Sequence, residues 1–184
     1  MVALNPPVCD VGQPAVDFAL PDADGRQYRL ADCRGPNGLL VMFICNHCPY
    51  VQAIIHRLIR DCRELAGHGI GSVAIMSNDV AAYPADSPAE MRRLAMELDF
   101  PFPYLHDATQ EVARAYGAVC TPDFFGYNAQ LRLQYRGRLD ASGLAPSAPD
   151  APRELFEAMR QIAASGQGPA VQQASIGCSI KWRK

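Results

Sequence analysis

Cys45, His47 and Cys48 fall within the seven residues FICNHCP (43–49), and no other short stretch of the chain offers as much chemistry. Two thiols three positions apart can close to a disulfide, supply half of a zinc site, or be neighbours with no shared role. The thiolate is the nucleophile in the first case and the ligand in the second. The element that carries the pair, and what the rest of the chain can bring to it, separates these readings.

Before the pair, Gly38–Ile44 is a continuous apolar run of strand length, as expected of a strand buried on both faces. After it, Val51, Ile54, Ile55, Leu58, Ile59, Cys62 and Leu65 recur at helical spacing, and Gly67 suits the stop. Proline is tolerated in the first turn of a helix, so Pro49 pins the helix start near Cys45–Cys48, at the C-terminal end of the strand. Open α/β sheets place their sites at that end. Unpaired N–H groups and the positive end of the helix dipole favour thiolate there.

Cβ atoms three residues apart in a helical turn lie about 5–6 Å apart. Disulfides bridge Cα separations of about 4.4–6.8 Å, so the pair can be oxidised or reduced without refolding. Cys45 is expected to be the more exposed member and to attack, with Cys48 resolving the mixed disulfide. A protonated His47 would add to thiolate stabilisation and make the pair more oxidising; the plainer reading is an exposed first-turn residue.

A zinc site needs four ligands. The chain has no second CxxC and no HxxxH, so Cys120, Cys178 or His106 would have to complete the set through the fold. The redox reading is therefore preferred, with no metal and no organic cofactor. The chain holds seven cysteines at irregular spacing, a poor match to an extracellular disulfide framework. Cys62, on the apolar face of the helix, reads as core.

At 184 residues the chain suits one domain with a proper core, comprising residues 1–184 with an extended arm (1–14) and a C-terminal tail (165–184). The formal charge of −2 gives no electrostatic reason to expect nucleic acid or an anionic membrane. No apolar run is long enough to span a bilayer. The first residues lack the marks of a signal peptide, so a cytoplasmic location is expected.

Strands are expected at Ala15–Leu20 and Gln27–Leu30 around a turn at Asp22–Gly25, and again at Gly71–Met76. Ser87–Glu90 reads as a capping box with Met91, Leu94, Ala95 and Leu98 on one face of the helix that follows. Asp107 with Gln110 is placed to cap a short helix ending at Gly117. DFFGYN and LRLQYRG form a hairpin, and a last helix spans about Pro152–Ala164. The order β-β-β-α-β-α-β-α-β-β-α implies an α/β fold, a mixed central sheet flanked by helices with an N-terminal β-hairpin extension.

A CxxC at a strand-to-helix junction in such a run resembles the thioredoxin superfamily. YGAVCTPDFFGYN (116–128) resembles its segment leading into a cis-proline, which implies a cis Thr121–Pro122 bond beside the cysteines and a docking groove shaped by those two residues. The long hairpin VDFALPDADGRQYRLADCRG, with SNDVAAYPADSPAEM, LQYRGRLD and SIGCSIKW, is similar to the peroxiredoxin-like and TlpA-like branch, a group labelled for alkyl hydroperoxide reductase and thiol-specific antioxidant similarity.

The resemblance implies a thiol–disulfide oxidoreductase, with protein or small-molecule disulfides, a thiol electron donor and, in a peroxidase variant, hydroperoxides as partners. A redox-sensing or metal-carrying module is the non-enzymatic alternative. The peroxiredoxin motif P-x-x-x-[TS]-x-x-C is not met on either cysteine, which favours disulfide exchange. Leu39 stands where thioredoxins carry a buried acid, so proton transfer would need His47, water or an acid from elsewhere. Cys120 and Cys178 are further thiols that the fold can bring near the pair.

Overall fold

The computed structural model describes residues 3–4, 6, 10–148 and 150–183. Its strands are β1 (Ala3–Leu4), β2 (Ala19–Pro21), β3 (Gln27–Arg29), β4 (Gly38–Phe43), β5 (Ile70–Met76), β6 (Tyr104–His106), β7 (Cys120–Thr121), β8 (Asp123–Asn128), β9 (Leu133–Gly137) and β10 (Gly177–Ser179). Its helices are α1 (Leu30–Cys33), α2 (Pro49–Gly67), α3 (Pro88–Glu97), α4 (Glu111–Tyr116) and α5 (Glu154–Ser165).

Five strands form the central sheet in the order β6-β5-β4-β8-β9. β4 runs parallel to β5, and β5 to β6, whereas β8 is antiparallel to β4 and β9 to β8. The parallel crossovers and the closing hairpin give the mixed α/β sheet expected of a thioredoxin-like fold. The β2–β3 hairpin lies outside this sheet and touches it through a bridge from Asp22 to Leu105.

β4 sits at the centre, and its residues are all buried. Successive side chains on a strand point to opposite faces, so Leu40, Met42 and Ile44 join one core and Leu39, Val41 and Phe43 the other. The first core is closed by Ile54, Ile55, Leu58, Cys62 and Leu65 of α2, Leu155 and Met159 of α5, and Met91 of α3. The second is closed by Leu30 and Cys33 of α1, Ala113 and Tyr116 of α4, and Leu20 of the hairpin. Fully burying a side chain such as Leu58 contributes about 1.5–3 kcal/mol. These contacts hold β4 and α2 in place, and hence the turn between them.

Several local expectations need correction. The strand expected at Ala15–Leu20 shrinks to Ala19–Pro21, and Leu30 opens a single helical turn rather than closing a strand. Ser87 precedes α3 but makes no side-chain cap, and Glu90 pairs with Arg93 instead. Of the expected apolar face of α3, Met91 alone is buried. Asp107 does cap α4, accepting from the backbone N–H of Ala113 at 2.9 Å. Gly117 takes the left-handed conformation (φ +63°) that ends the helix.

The sequence pattern assigns no strand to the C-terminal tail (165–184). Residues 177–179 instead form β10, the middle strand of a small antiparallel sheet in the order β1-β10-β7. Part of the N-terminal arm supplies β1, which pairs with β10, so the two chain ends pair with each other and β10 alone lies on β7; Cys9 lies outside the described residues.

Candidate active site at the start of the long helix

The buried strand β4 delivers the chain to residues 44–48, and Pro49 opens α2 with Cys48 as its N-cap. The two cysteines differ in their place relative to the helix. Cys45 lies four positions before the first helical residue, not at the helix N-terminus, and is only 1% exposed, against 0% for Cys48. Cys48 is the thiol at the positive end of a 19-residue helix.

The surroundings of the two sulfurs differ accordingly. Cys48 receives a hydrogen bond from the Cys45 thiol, the largest influence on it, and further bonds from Cys178, Thr121 and the backbone N–H of Val51. Together these outweigh its burial and push the Cys48 thiol down to about 4. One contact works the other way: the Thr121 carbonyl, 3.0 Å from Cys48 Sγ, accepts from the protonated thiol and so favours it. That contact favours the thiol, whereas the donors to the sulfur favour the thiolate. Cys45 moves oppositely. Donating to Cys48, and then burial and the nearby Asp86 charge, push its thiol far above the usual range.

The Thr121–Pro122 peptide is cis. It sets Thr121 against both sulfurs, its hydroxyl 3.3 Å from Cys45 Sγ and its carbonyl on Cys48. Pro122 also lines a cleft of about 210 Å³ with Tyr50, Ile54, Phe124, Ser175 and Ile176. A larger cavity, about 690 Å³, lies against α5 and residues 169–173; neither cavity has a thiol in its walls.

His47 is half-buried and turns its Nδ1 to Asp86 Oδ2 at 2.6 Å; the same nitrogen lies 4.0 Å from Cys45 Sγ. A carboxylate only accepts, so the network assigns the Nδ1 proton to His47. The ring stacks on Tyr83 with centroids 5.1 Å apart, and Nε2 is buried with no hydrogen-bond partner. His47 therefore meets the pair through Cys45 and Asp86.

Asp86 is the residue the sequence did not reveal. It is fully buried, and besides His47 Nδ1 it accepts from the backbone N–H of Asn46 (2.8 Å) and of His47 (3.2 Å) and from Asn78 Nδ2 (2.8 Å). A carboxylate offers about four acceptor sites, and here all are used. It is an acid beside the thiols supplied by a different element from β4, which carries Leu39. No local pattern marks it, since it sits 39 residues from the turn it holds. Asn46 is fixed further by Tyr104, whose hydroxyl donates to its Oδ1 at 3.0 Å.

The remaining candidate thiols separate. Cys120 is buried and donates to the Pro122 carbonyl at 3.7 Å. Neighbours on a strand face opposite ways, so with Thr121 turned to the pair, Cys120 points to the other side. Cys178 comes in on β10, opposite Thr121, and contacts Cys48. Among the described residues, the one His, Cys, Asp and Glu group able to share an ion is Cys45, His47 and Asp86, with ligand atoms within 4.8 Å of one another. Three ligands fall short of a closed zinc site. His106 is not part of the group.

Buried thiols at a strand-to-helix junction, one driven toward thiolate, with a cis-proline across from them, define a thioredoxin-fold redox protein by architecture. The chain belongs to the AhpC/TSA family, which it matches over residues 11–141. Family membership supports a redox function.

Two solved structures resemble it over nearly its whole length. An uncharacterized conserved protein from Geobacillus kaustophilus is 43% identical, with a TM-score of 0.93, covering 100% of this chain and 97% of that one. A hypothetical protein from Sinorhizobium meliloti is 38% identical, with a TM-score of 0.89, covering 97% and 98%. A thioredoxin-family thiol:disulfide interchange protein from Chlorobium tepidum shares the fold at 18% identity and a TM-score of 0.61, over 85% of this chain and 99% of that one. A comparison with curated proteins finds no match. No helix among the described residues is long and apolar enough to cross a membrane.

Proposed function

We propose that the protein is a thiol–disulfide oxidoreductase in which Cys48, rather than Cys45, attacks. The observation that carries this is the position of Cys48 at the cap of α2 with the Cys45 thiol donating to its sulfur. The Cys48 thiolate displaces one thiol from a protein or small-molecule disulfide and forms a mixed disulfide. Cys45 then attacks the Cys48 sulfur, expels the second thiol and leaves Cys45–Cys48 oxidised. The proton Cys45 loses passes to the departing thiolate, with the His47–Asp86 pair beside it to steady the change in charge. A dithiol electron donor reverses these steps. Substrate groups flanking the disulfide rest in the apolar cleft beside Pro122, Tyr50 and Ile54. The chemistry calls on no metal or organic cofactor.

Steady-state reduction of a small aromatic disulfide, run with each cysteine variant, tests this. Cys48→Ser is expected to lose turnover altogether, and Cys45→Ser to form its mixed disulfide at Cys48 and to yield no Cys45–Cys48 link. Full activity in Cys48→Ser would overturn the proposal.

Family membership supports a second reading, a thiol peroxidase in which Cys48 passes through a sulfenate. The Thr121 hydroxyl is the nearest side-chain hydroxyl seen at the pair, and it bonds to Cys45. Oxidation of the reduced protein by hydrogen peroxide that outpaces its exchange with disulfides would favour this reading.

A further inference from the structure

Cys48 is fully buried, yet it must meet a disulfide from outside. The segment laid over it is the chain's own tail. β10 pairs antiparallel with β7, Cys178 opposite Thr121 and Ser179 opposite Cys120. Directly opposed residues of an antiparallel pair project to the same side. Cys178 thus shares the side on which the Thr121 hydroxyl meets Cys45. It is 3% exposed, packs in one apolar cluster with Cys45 and Cys48, and its thiol hydrogen-bonds to Cys48. The close approach depends on Gly177, where a Cβ would stand 2.1 Å from the Thr121 carbonyl oxygen and 3.0 Å from Pro122 N.

The three thiols therefore form a row with Cys48 in the middle, one neighbour in its own turn and the other on a strand from the far end of the chain. We propose that Cys178 is a resolving thiol that forms a disulfide with Cys48, so that β10 delivers the resolving sulfur and seals the site once the protein is oxidised. This deepens the reading of Cys48 as the attacking thiolate and rests on it, and it gives Cys178 the resolving step that Cys45 would otherwise take.

The step balances as follows. With β10 lifted, the Cys48 thiolate attacks an external disulfide RSSR and expels RS⁻, leaving Cys48–S–SR. When β10 returns, Cys178 gives its proton to the expelled RS⁻ and attacks the Cys48 sulfur, and the second RS⁻ leaves and takes a proton from solvent. Two protein thiols become one disulfide, and RSSR becomes two RSH. Burial and the bond to Cys48 push the Cys178 thiol up to about 12, with Lys181 opposing. Once Cys48 is a mixed disulfide it no longer holds Cys178 as a donor, and that restraint is released.

The test is to treat the reduced full-length protein with oxidised glutathione and map disulfides in the wild type, Cys178→Ala and Cys45→Ala. A Cys48–Cys178 link is expected in the wild type and in Cys45→Ala. In Cys178→Ala, the glutathione adduct on Cys48 is expected to last roughly tenfold longer or more, since an intramolecular attacker is lost. A wild type that yields Cys45–Cys48 alone, with Cys178→Ala resolving as fast, would overturn this proposal and leave Cys48 as the attacking thiol. Absence of any adduct or disulfide at Cys48 in all three proteins would overturn both readings.

Gly177→Val checks the seal without touching a thiol. With β10 forced off Thr121, alkylation of Cys48 is expected to quicken roughly tenfold or more, on the scale that local opening sets protection. An unchanged rate in a folded variant would mean that β10 does not close the site.

Discussion

The turn that carries Cys45 and Cys48 and the strand that carries Cys178 meet at one sulfur, but they are held there by different means. The turn is fixed by a buried carboxylate: Asp86 accepts from two of its backbone N–H groups and from the imidazole of His47. The tail's backbone is fixed by neutral bonds, with a long Arg183–Asp79 ion pair (3.8 Å) and Arg114 over the Trp182 ring beside them. Lys181 N–H donates to Asn78 Oδ1 at 2.8 Å, Ile180 N–H to the Val119 carbonyl at 2.9 Å, and Arg183 N–H to Gln110 Oε1 at 2.8 Å. Hydrogen bonds to charged groups are worth roughly twice neutral ones and cost far more to leave unmade. The comparison teaches that one wall of the site is built to stay and the other can leave at moderate cost. Asn78 joins the two, giving its amide N–H to Asp86 and its carbonyl to the tail.

The sharpest way to break this comparison is to remove the fixed wall. Asp86→Ala strips the acceptor from two backbone N–H groups, an imidazole and an amide, all in the interior or at its edge. Removing one partner of a buried charged network typically costs about 3–5 kcal/mol. Urea unfolding of the reduced protein is expected to show a loss on that scale. A loss under about 1 kcal/mol, the net worth of a single ordinary hydrogen bond, would mean that Asp86 is not the anchor.

Loosening the movable wall should have a smaller and more local effect. Gln110 is buried and clamps the tail from both sides of its amide: Nε2 donates to the carbonyls of Ser77 (2.6 Å) and Lys181 (2.8 Å), while Oε1 accepts from Arg183. Gln110→Ala leaves these groups to find water, at about 1–3 kcal/mol for groups that stay buried. Because the freed groups lie along the tail, Cys48 alkylation should quicken by more than the global stability falls. Equal changes in both would show that tail and core open as one unit.

How much of this was legible follows from how local each feature is. The apolar run of β4, the helical spacing after Val51 and Pro49 lie within one stretch, so sequence alone placed the cysteines between a buried strand and a long helix. The fate of each cysteine within that turn was not legible. Whether Cys45 or Cys48 caps the helix turns on a few dihedral angles that residue spacing does not set. Asp86 and Asn78 were hidden because their partners are distant in sequence and their own neighbourhood, YPADSPAE, reads as the start of α3. The tail strand was hidden for a related reason. GCS has no alternating pattern of its own, and it becomes a strand through a two-residue pairing with β7 that only the folded chain supplies.

The gentlest probe addresses the sulfur that both walls enclose. The Cys48 thiol is pushed down to about 4, chiefly by the bond from Cys45, whereas an unfolded cysteine titrates near 8.5. The folded pKa lies below the unfolded one, so the ionised form favours the fold. That contribution is complete above about 8.5, shrinks as the pH falls, and is gone below about 4. Between these limits the unfolded chain carries the extra proton, and the stability of the reduced protein should rise with pH.

Iodoacetamide labelling of Cys48 across the same range should stay level near neutrality and fall toward half near pH 4. Cys45→Ala removes the strongest donor and little packing. It should move that midpoint upward while costing no more than about 1 kcal/mol, one net hydrogen bond. An unmoved midpoint would mean that Cys178, Thr121 and the Val51 N–H hold the thiolate without help from the turn. The movable wall, not the fixed one, would then set the reactivity of the site.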